Sequence, residues 1–324
     1  MKLFLTGAAG FIGRSVTKRL LKYNNRVTTL LLPGEPEPAV EGSQVVRGDI
    51  TKPDTLKGIM KSHDAVIHIA GVAGFQTWDA CIAVNRDGTR HVAEEAVRSG
   101  IKRFVHMSSV SVYGSIPDTP IDESFPFKKI GDPYGDTKID AENILNRFVS
   151  RGDLDLTVIR PTVVYGEGDD KFLPTLVQKI HEGKFRYIGN GKNSVDLIHV
   201  DDLSRFVWMV IHEPRSIGKI YNLTNPINPS WRGMVTEIAT ELGRPVPNGC
   251  FPYRLAYATA LAMEKISKLT GNPPQLSRYA VRLVGRQYHY LTTRMQEDME
   301  FTPEIPLMDG IRNCLSSGGL EYSR

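Results

Sequence analysis

The chain has few cysteines, no grouped metal ligands, no basic tract and no long uninterrupted hydrophobic run. Its three cysteines, Cys81, Cys250 and Cys314, are odd in number and show no C-x-x-C spacing. They support neither a disulfide framework nor a zinc knuckle, and they fit a reducing compartment. No H-E-x-x-H or Cys/His group suggests a metal site. Lys and Arg number 40 against 36 Asp and Glu, a net charge of +4 without clustering, so nucleic acid is not an expected partner. Such a weak excess is compatible with drawing a phosphorylated cofactor to a cleft. The longest apolar helical stretch, Tyr253 to Met263, is interrupted by Arg254 and followed by Glu264 and Lys265, too short for a bilayer span. Met1 leads directly into the strand-like Lys2–Thr6, which leaves no room for a cleavable leader, and a cytoplasmic protein is expected. The sequon Asn222-Leu223-Thr224 is therefore expected to be incidental.

What the chain does have is a regular alternation. Lys2–Thr6, Arg26–Leu32, Gln44–Arg47, Ala65–Ala70, Arg103–Ser108 and Leu156–Arg160 read as strands. Ile12–Tyr23, Pro53–Lys61, Ala83–Ser99 and Tyr134–Ser150 read as the helices between them. The strands are nearly continuous apolar runs, as when both faces of a sheet are covered. The pattern predicts an α/β fold with a doubly wound parallel sheet. After Pro161 the rhythm loosens. Phe172–Glu182 and Asp201–His212 read as helices, Asp196–Val200 and Ile220–Leu223 as short strands, and the chain from Trp231 reads as mostly helical. The expected division is a nucleotide-binding unit, 1–165 with about 194–225, and a smaller, mostly helical substrate-binding region, about 166–193 with 226–324. The second region is expected to cap the carboxyl edge of the sheet, where open α/β folds bind ligands.

Thr6-Gly7-Ala8-Ala9-Gly10-Phe11-Ile12-Gly13 places G-x-x-G-x-x-G between the first strand and the first helix. Gly7 permits the tight turn, Gly10 lets the backbone approach a pyrophosphate, and Gly13 lets helix and strand pack closely. Phe11 and Ile12 then carry the helix N-terminus toward the anion. In its position at the head of a strand–helix–strand unit this is a Rossmann dinucleotide loop. The choice between NAD and NADP turns on the end of the second strand, Thr29-Leu30-Leu31-Leu32-Pro33-Gly34. That stretch supplies neither a carboxylate for the ribose diol nor an arginine for a 2′-phosphate, and the missing carboxylate tilts the expectation slightly to NADP, with Arg14 as a helper. Asp49-Ile50, after the third strand, is positioned to meet the adenine.

Tyr134-Gly135-Asp136-Thr137-Lys138 puts a phenol and an ammonium one turn apart on a helix face. A free tyrosine has a pKa of about 10, and a nearby cation favours its phenolate. Tyr134 is thereby expected to exchange a proton with a substrate oxygen near neutral pH. Ser109, at the end of the strand that precedes Val110-Ser111-Val112-Tyr113-Gly114, can hydrogen-bond the same oxygen.

These motifs together resemble the extended branch of the short-chain dehydrogenase/reductase family. The resemblance runs through Thr6–Gly13, Asp49-Ile50, His68-Ile69-Ala70-Gly71, Asn85-Arg86-Asp87-Gly88-Thr89, Arg103–Gly114, Tyr134–Lys138, Arg160–Gly166 and His199-Val200-Asp201-Asp202. It implies that Ser109, Tyr134 and Lys138 are catalytic and that Lys138 also holds the nicotinamide ribose. It further implies that Ala70, Gly71, Asn85, Ser108, Pro161 and Val163 belong to the cofactor-binding set, and that the protein is a homodimer joined through helices near Ala83–Ser99 and Tyr134–Ser150. Sugar-nucleotide members usually carry an arginine where this chain has Val195. The run Leu276 to Leu291, with Tyr288-His289-Tyr290, and the apolar Phe251–Leu269 resemble the 3β-hydroxysteroid dehydrogenase group. A secondary alcohol or ketone on a rather apolar small molecule is the expected substrate. A nucleotide-sugar epimerase or dehydratase, and an NADP-sensing or scaffold protein, stand as alternatives. Asp118, Asp122 and Glu123 are candidates for a substrate-side flap, Gln76, Thr77 and Trp78 for substrate contact, and His68, His106 and His199 for structural roles.

Overall fold

The computed structural model describes the chain except residues 38, 75, 115–118, 271–273 and 317–324. Seven strands form the central sheet: β1 (Lys2–Thr6), β2 (Arg26–Leu31), β3 (Gln44–Arg47), β4 (Ala65–His68), β5 (Arg103–Met107), β6 (Asp155–Pro161) and β7 (Ile220–Leu223). Their order is β7-β6-β5-β4-β1-β2-β3, and every neighbouring pair is parallel. The period-2 side-chain alternation explains the unbroken apolar runs. Leu3, Leu5, Ile67 and Val105 pack on one face with Val16 and Leu20 of the Phe11–Lys22 helix and Phe206 and Val210 of the Val200–His212 helix. Phe4, Val66 and Phe104 pack on the other face with Val92 and Ala96 of the Thr89–Arg98 helix and Leu145 of the Pro133–Ser150 helix. Strand order reverses beside β1, which opens a crevice outside the carboxyl ends of β1 and β4.

Two predicted helices differ from expectation. Pro53–Lys61 forms only a 3-10 turn over Pro53–Leu56, because Gly58 takes a φ of +75° and ends it. Ala83–Ser99 is not one regular helix: residues Ile82–Gly88 form a π-helical turn before Thr89–Arg98 continues as α-helix. Wide turns of this kind leave side chains such as Asn85 free to serve a neighbouring loop.

Outside the central sheet, two-residue and three-residue strands pair across long sequence separations. Val163–Tyr165 pairs with Leu197–His199, Tyr187–Ile188 with Cys250–Phe251, and Pro120–Ile121 with His289–Tyr290. Leu176, Val177 and Ile180 pack against Met234, Val235 and Ile238 in a separate core that also takes in Leu307 and Ile311. Met295, Met299 and Phe301 join the core of the central sheet, where the Phe301 ring meets Phe206 at 4.8 Å. Among the described residues no helix is long and apolar enough to cross a membrane.

Candidate active site

At the crevice the glycine loop is shaped by contacts that only glycine tolerates. Gly7 has a φ of +81°, and a Cβ there would lie 2.6 Å from Ala70 N. A Cβ on Gly13 would lie 2.0 Å from Gly7 O, so the helix can start this close to β1 only without a side chain. Gly10 is the N-cap of the Phe11–Lys22 helix, without a side-chain cap, and the first turn carries no acidic residue. The N–H groups of Phe11, Ile12 and Gly13 have no helical carbonyl to bond, and the positive end of the helix dipole faces the crevice. This bare cradle fits the pyrophosphate of a dinucleotide.

A cavity of about 760 Å³ runs from this loop to residues 279–290. Gly7, Gly10, Phe11, Ile12, Gly13, Asp49, Ile50, Ala70, Gly71, Ser108, Ser109, Tyr134, Lys138, Pro161 and Val163 all line it, which brings the predicted site residues to one place. Asn85 is the exception. It is buried just behind Gly71, where its amide accepts from Val72 N at 2.9 Å and donates to Val72 O at 3.0 Å. Its part is to hold the loop that follows Gly71. Gln76, Thr77 and Trp78 do not line the cavity either: Thr77 caps a short helix through Ala80 N, and Trp78 is exposed.

At the end of β2 the structure supplies a group that Thr29–Gly34 lacks. The chain turns back after Pro33-Gly34, and the Leu32 N–H donates to Glu35 Oε2 at 2.7 Å. Glu35 lines the cavity, so a carboxylate does stand at this end of it. Arg47 bonds Leu32 O and pairs with Glu37, and neither it nor Arg14 lines the cavity.

The chemical residues converge on the opposite wall. Asp132 caps the Pro133–Ser150 helix by accepting from Gly135 N at 2.9 Å, with Pro133 in the first turn. A Cβ on Gly135 would meet Ser111 O at 2.9 Å. Glycine at this position therefore lets the helix approach the Ser109–Ser111 turn and sets Tyr134 beside Ser109. Ser109 Oγ also accepts from Ser111 N at 3.2 Å. Lys138 Nζ donates to Met107 O at 2.9 Å and lies 6.0 Å from the Tyr134 ring centre. Burial pushes the Tyr134 phenol up to about 12, with the Ser109 hydrogen bond opposing. The Lys138 ammonium bonds a backbone carbonyl and not the phenol. Burial brings Lys138 itself down to about 8, with Glu142 opposing. Tyr134 is thus a protonated donor in the protein alone, and Lys138 is a cation at neutral pH.

Behind this wall lies a buried polar network. Ser108 Oγ donates to Glu142 Oε1 at 2.5 Å, and Arg160 Nη2 meets Glu142 Oε2 at 2.6 Å. Arg160 also donates to the Tyr113 hydroxyl at 2.7 Å, and that hydroxyl donates to Asn222 Oδ1 at 2.7 Å. Ser108 is turned to this network by its hydroxyl. Asn222 is fully buried, so its sequon offers no accessible amide. Glu123 accepts from Asn222 N and Asp122 from Ser124 N, which makes both loop anchors. Asp118 lies outside the described residues. His68 bridges Thr6 and Thr89, and His199 caps the Val200–His212 helix, both structural as expected. His106 is buried and stacks on His68 at 5.5 Å.

The substrate end of the cavity holds residues that no short motif announces. Tyr279, Arg282 and Leu283 come from one face of the Arg278–Gly285 helix, and Asp196 comes from the chain after Val195. The Tyr279 ring meets that of Tyr134 edge-on at 6.5 Å, and Tyr288 stacks on Tyr290 at 5.9 Å. Burial pushes the Asp196 carboxyl up to about 7, with a hydrogen bond from Ser194 opposing. The Leu276–Leu291 run marks this stretch in the sequence, and the helical spacing of Tyr279, Arg282 and Leu283 is the further signal for which side chains face the cavity.

A doubly wound sheet, a glycine cradle and a Ser–Tyr–Lys cluster at one cavity define an enzyme of the extended short-chain dehydrogenase/reductase type. Residues 3–224 match the NAD dependent epimerase/dehydratase family, and the chain belongs to it. It is similar to a 2-alkyl-3-oxoalkanoate reductase of Stenotrophomonas maltophilia (strain K279a), 26% identical over 98% of this chain and 99% of the relative. It is also similar to 3beta-hydroxysteroid-dehydrogenase/decarboxylase isoform 1 of Arabidopsis thaliana, 24% identical over 97% of this chain and 78% of the relative. The structure of MoeE5 in complex with UDP-glucose and NAD is similar with a TM-score of 0.75 and 25% identity, covering 96% of each chain.

Proposed function

We propose that the protein interconverts an apolar ketone and its secondary alcohol, with NAD as the redox partner. The convergence of Ser109, Tyr134 and Lys138 on a cavity that joins the glycine cradle to an aromatic wall carries this reading. NAD, when bound, supplies or accepts the hydride at its nicotinamide ring. The Ser109 and Tyr134 hydroxyls hold the carbonyl oxygen, and Tyr134 gives it a proton in the direction of reduction. The raised phenol suits a donor. Lys138 holds the ribose and adds positive charge beside the developing alkoxide.

One observation separates this reading from sugar-nucleotide chemistry. Val195 is a buried aliphatic side chain that cannot neutralise a diphosphate. The oxoalkanoate and hydroxysteroid relatives, by their names, act on the same kind of oxygen on a carbon skeleton. For the cofactor, Glu35 favours NAD over the NADP expected from Thr29–Gly34, since a carboxylate pairs with a ribose diol and repels a 2′-phosphate. A cytoplasmic homodimer is the accompanying expectation.

The test is the ultraviolet spectrum of the freshly purified protein, followed by NADH oxidation with a panel of apolar ketones. Stoichiometric NADH consumption is expected. Tyr134→Phe should lower kcat at least about 10³-fold, at the strong end of acid–base contributions, while NADH affinity stays within about 2-fold. Full activity of that variant would remove the mechanism. Tightly retained NAD with no net consumption would instead favour an epimerase or dehydratase.

A further inference from the structure

Tyr134, Lys138 and Glu142 recur at four-residue spacing on the Pro133–Ser150 helix, so Glu142 stands one turn beyond the catalytic lysine. It is 1% exposed, and both of its oxygens are engaged. Oε1 accepts from Ser108 Oγ at 2.5 Å and from Arg160 Nε at 3.0 Å, and Oε2 accepts from Arg160 Nη2 at 2.6 Å. Ser108 shares a peptide unit with Met107. The N–H of that unit donates to Ile159 O on β6 at 2.8 Å, and its carbonyl, Met107 O, accepts from Lys138 Nζ at 2.9 Å. The N–H and C=O of a planar trans peptide point in opposite directions, so a unit fixed at Ser108 is also aimed at its Met107 end. Lys138 Nζ in turn lies 3.3 Å from where a Cβ on Gly71 would stand, which sets the ammonium against the cofactor end of the cavity.

A buried ion pair is weak evidence of stabilisation, because desolvating it costs about as much as the pair returns and an apolar pair of similar volume often serves as well. What Glu142 adds is direction and charge. Its partner Arg160 is itself 1% exposed and is held from behind by the Tyr113 hydroxyl at 2.7 Å and Glu123 O at 3.2 Å. The carboxylate is therefore a fixed point for the end of β5. The other titratable groups against Lys138 are Tyr134 on its own helix, Cys81 at the end of Trp78–Cys81, His68 on β4 and His106 on β5. Burial holds both imidazoles neutral. Burial also lowers Lys138, and Glu142 is the leading group that opposes it.

Resting on the ketone–alcohol reading above, we propose that Glu142 is a positioning residue for the reaction: it fixes the Met107–Ser108 strand end on which the Lys138 ammonium rests and supplies the negative charge that faces that ammonium. Glu142 does not line the cavity, so it acts only through Ser108, Met107 and Lys138. Without its charge the buried ammonium gives up its proton at lower pH. The grip on the ribose and the cation beside the developing alkoxide are then lost together.

The test uses Glu142→Gln, which keeps the size of the side chain and the hydrogen bond from Ser108 while removing the charge, with Glu142→Asp as the conservative rescue. Lys138 is titrated in the protein alone by carbon-13 NMR of lysine labelled at Cε, assigned with Lys138→Met. The pH profile of kcat/KM is measured with the apolar ketone that the wild type uses best. In the wild type the lysine should titrate near pH 8, and kcat/KM should fall above it. Glu142→Gln should bring both down by about 1 pH unit, as loss of an opposite charge a few Å away gives. Glu142→Asp should bring both most of the way back. A Glu142→Gln protein whose Lys138 titration or basic limb stays at the wild-type pH overturns the proposal, because a purely structural role lowers Tm without moving either. Ser108→Ala leaves the Glu142–Arg160 pair intact and decides the matter if Glu142→Gln does not fold. Its kcat/KM below pH 8 should fall about 10-fold, the size of one charged hydrogen bond, and the loss should vanish when Lys138 is already Met. No loss, or an equal loss in both backgrounds, overturns the positioning. If the wild type reduces no ketone, the ketone–alcohol reading falls, and the NMR titration decides the role of Glu142 by itself.

Discussion

The two ends of the cavity are made of different material. The cofactor end is mainly backbone: Gly7, Gly10 and Gly13 at the tip of β1, Ala70 and Gly71 after β4, and Pro161 closing β6. Its shape follows from adjacent parallel strands of one sheet. The substrate end is side chain: Tyr279, Arg282, Tyr288 and Tyr290 on one stretch, Asp196 and Phe172 on others, tied by strands of two or three residues. Backbone recognition tolerates almost no substitution, because the contacts are atoms that cannot rotate away. Side-chain recognition can be rewritten one residue at a time without disturbing the sheet. One scaffold can therefore keep its cofactor while its substrate changes, and function has to be argued from the second end.

The largest effect should come from breaking the backbone end. In Gly13→Ala the new Cβ would meet Gly7 O at 2.0 Å and Gly7 C at 2.6 Å, both backbone atoms with no rotamer to relieve them. We expect NAD affinity to fall at least about 100-fold, since loss of alignment on the pyrophosphate removes several charge-assisted bonds together. Titration of NADH fluorescence measures it. Near-normal affinity in this variant would mean that the loop is not held by the packing described.

Lys138 lies where the two ends meet, and there function and stability should part. The side chain is 4% exposed, and burial brings its pKa down to about 8, below the usual 10.4 of lysine. The folded state therefore disfavours the cation. The penalty is fully present below pH 8 and is relieved as pH rises toward about 10.4, so this group makes the protein more stable with rising pH across that window. Lys138→Met should raise Tm by a few degrees at pH 7, with the gain shrinking at pH 10. Its kcat/KM should fall by about 10² or more, the familiar exchange of activity for stability. A lower Tm at pH 7 would show that the hydrogen bond to Met107 O outweighs the buried charge.

How much of this could be read from the chain follows the same division. The glycine loop and the Tyr134–Lys138 pair are local patterns. Each functional contact in them lies within one strand–helix junction or one helical turn, so spacing alone brings the residues together. Both faces of the sheet were legible for the same reason, because Phe4, Val66 and Phe104 alternate with Leu3, Leu5, Ile67 and Val105. The substrate wall was legible only as the stretch Leu276–Leu291, not in which of its side chains meet the cavity. Pro120–Ile121 pairs with His289–Tyr290 across most of the chain, and two-residue strands carry no periodicity. The motif marks Asn85 but not its immediate partner, Val72, to which the π-helical turn over Ile82–Gly88 directs its amide. The lowering expected at Tyr134 rests on Lys138 and the nicotinamide charge together, and one turn of helix suggests contact with Lys138. The Met107 carbonyl that draws the ammonium away belongs to a strand far along the chain.

Glu35 gives the smallest effect and the finest test of the comparison. It is a side chain at the backbone end, and its place depends on the Pro33-Gly34 turn, with Gly34 at a φ of +92°, and on the Leu32 N–H. Glu35→Gln keeps the hydrogen bond and the size of the side chain while removing its charge. If the carboxylate sets the cofactor choice, NADH use should weaken slightly and NADPH use should improve. The ratio of their kcat/KM values should move toward NADPH by about 10-fold, the worth of about 1.4 kcal/mol. Glu35→Arg should move it further, because a guanidinium offers paired bonds to a 2′-phosphate. A ratio unchanged in both variants would assign cofactor choice to the backbone as well. The cofactor end would then hold no position at which a single side chain retunes it, and the contrast between the two ends would be complete.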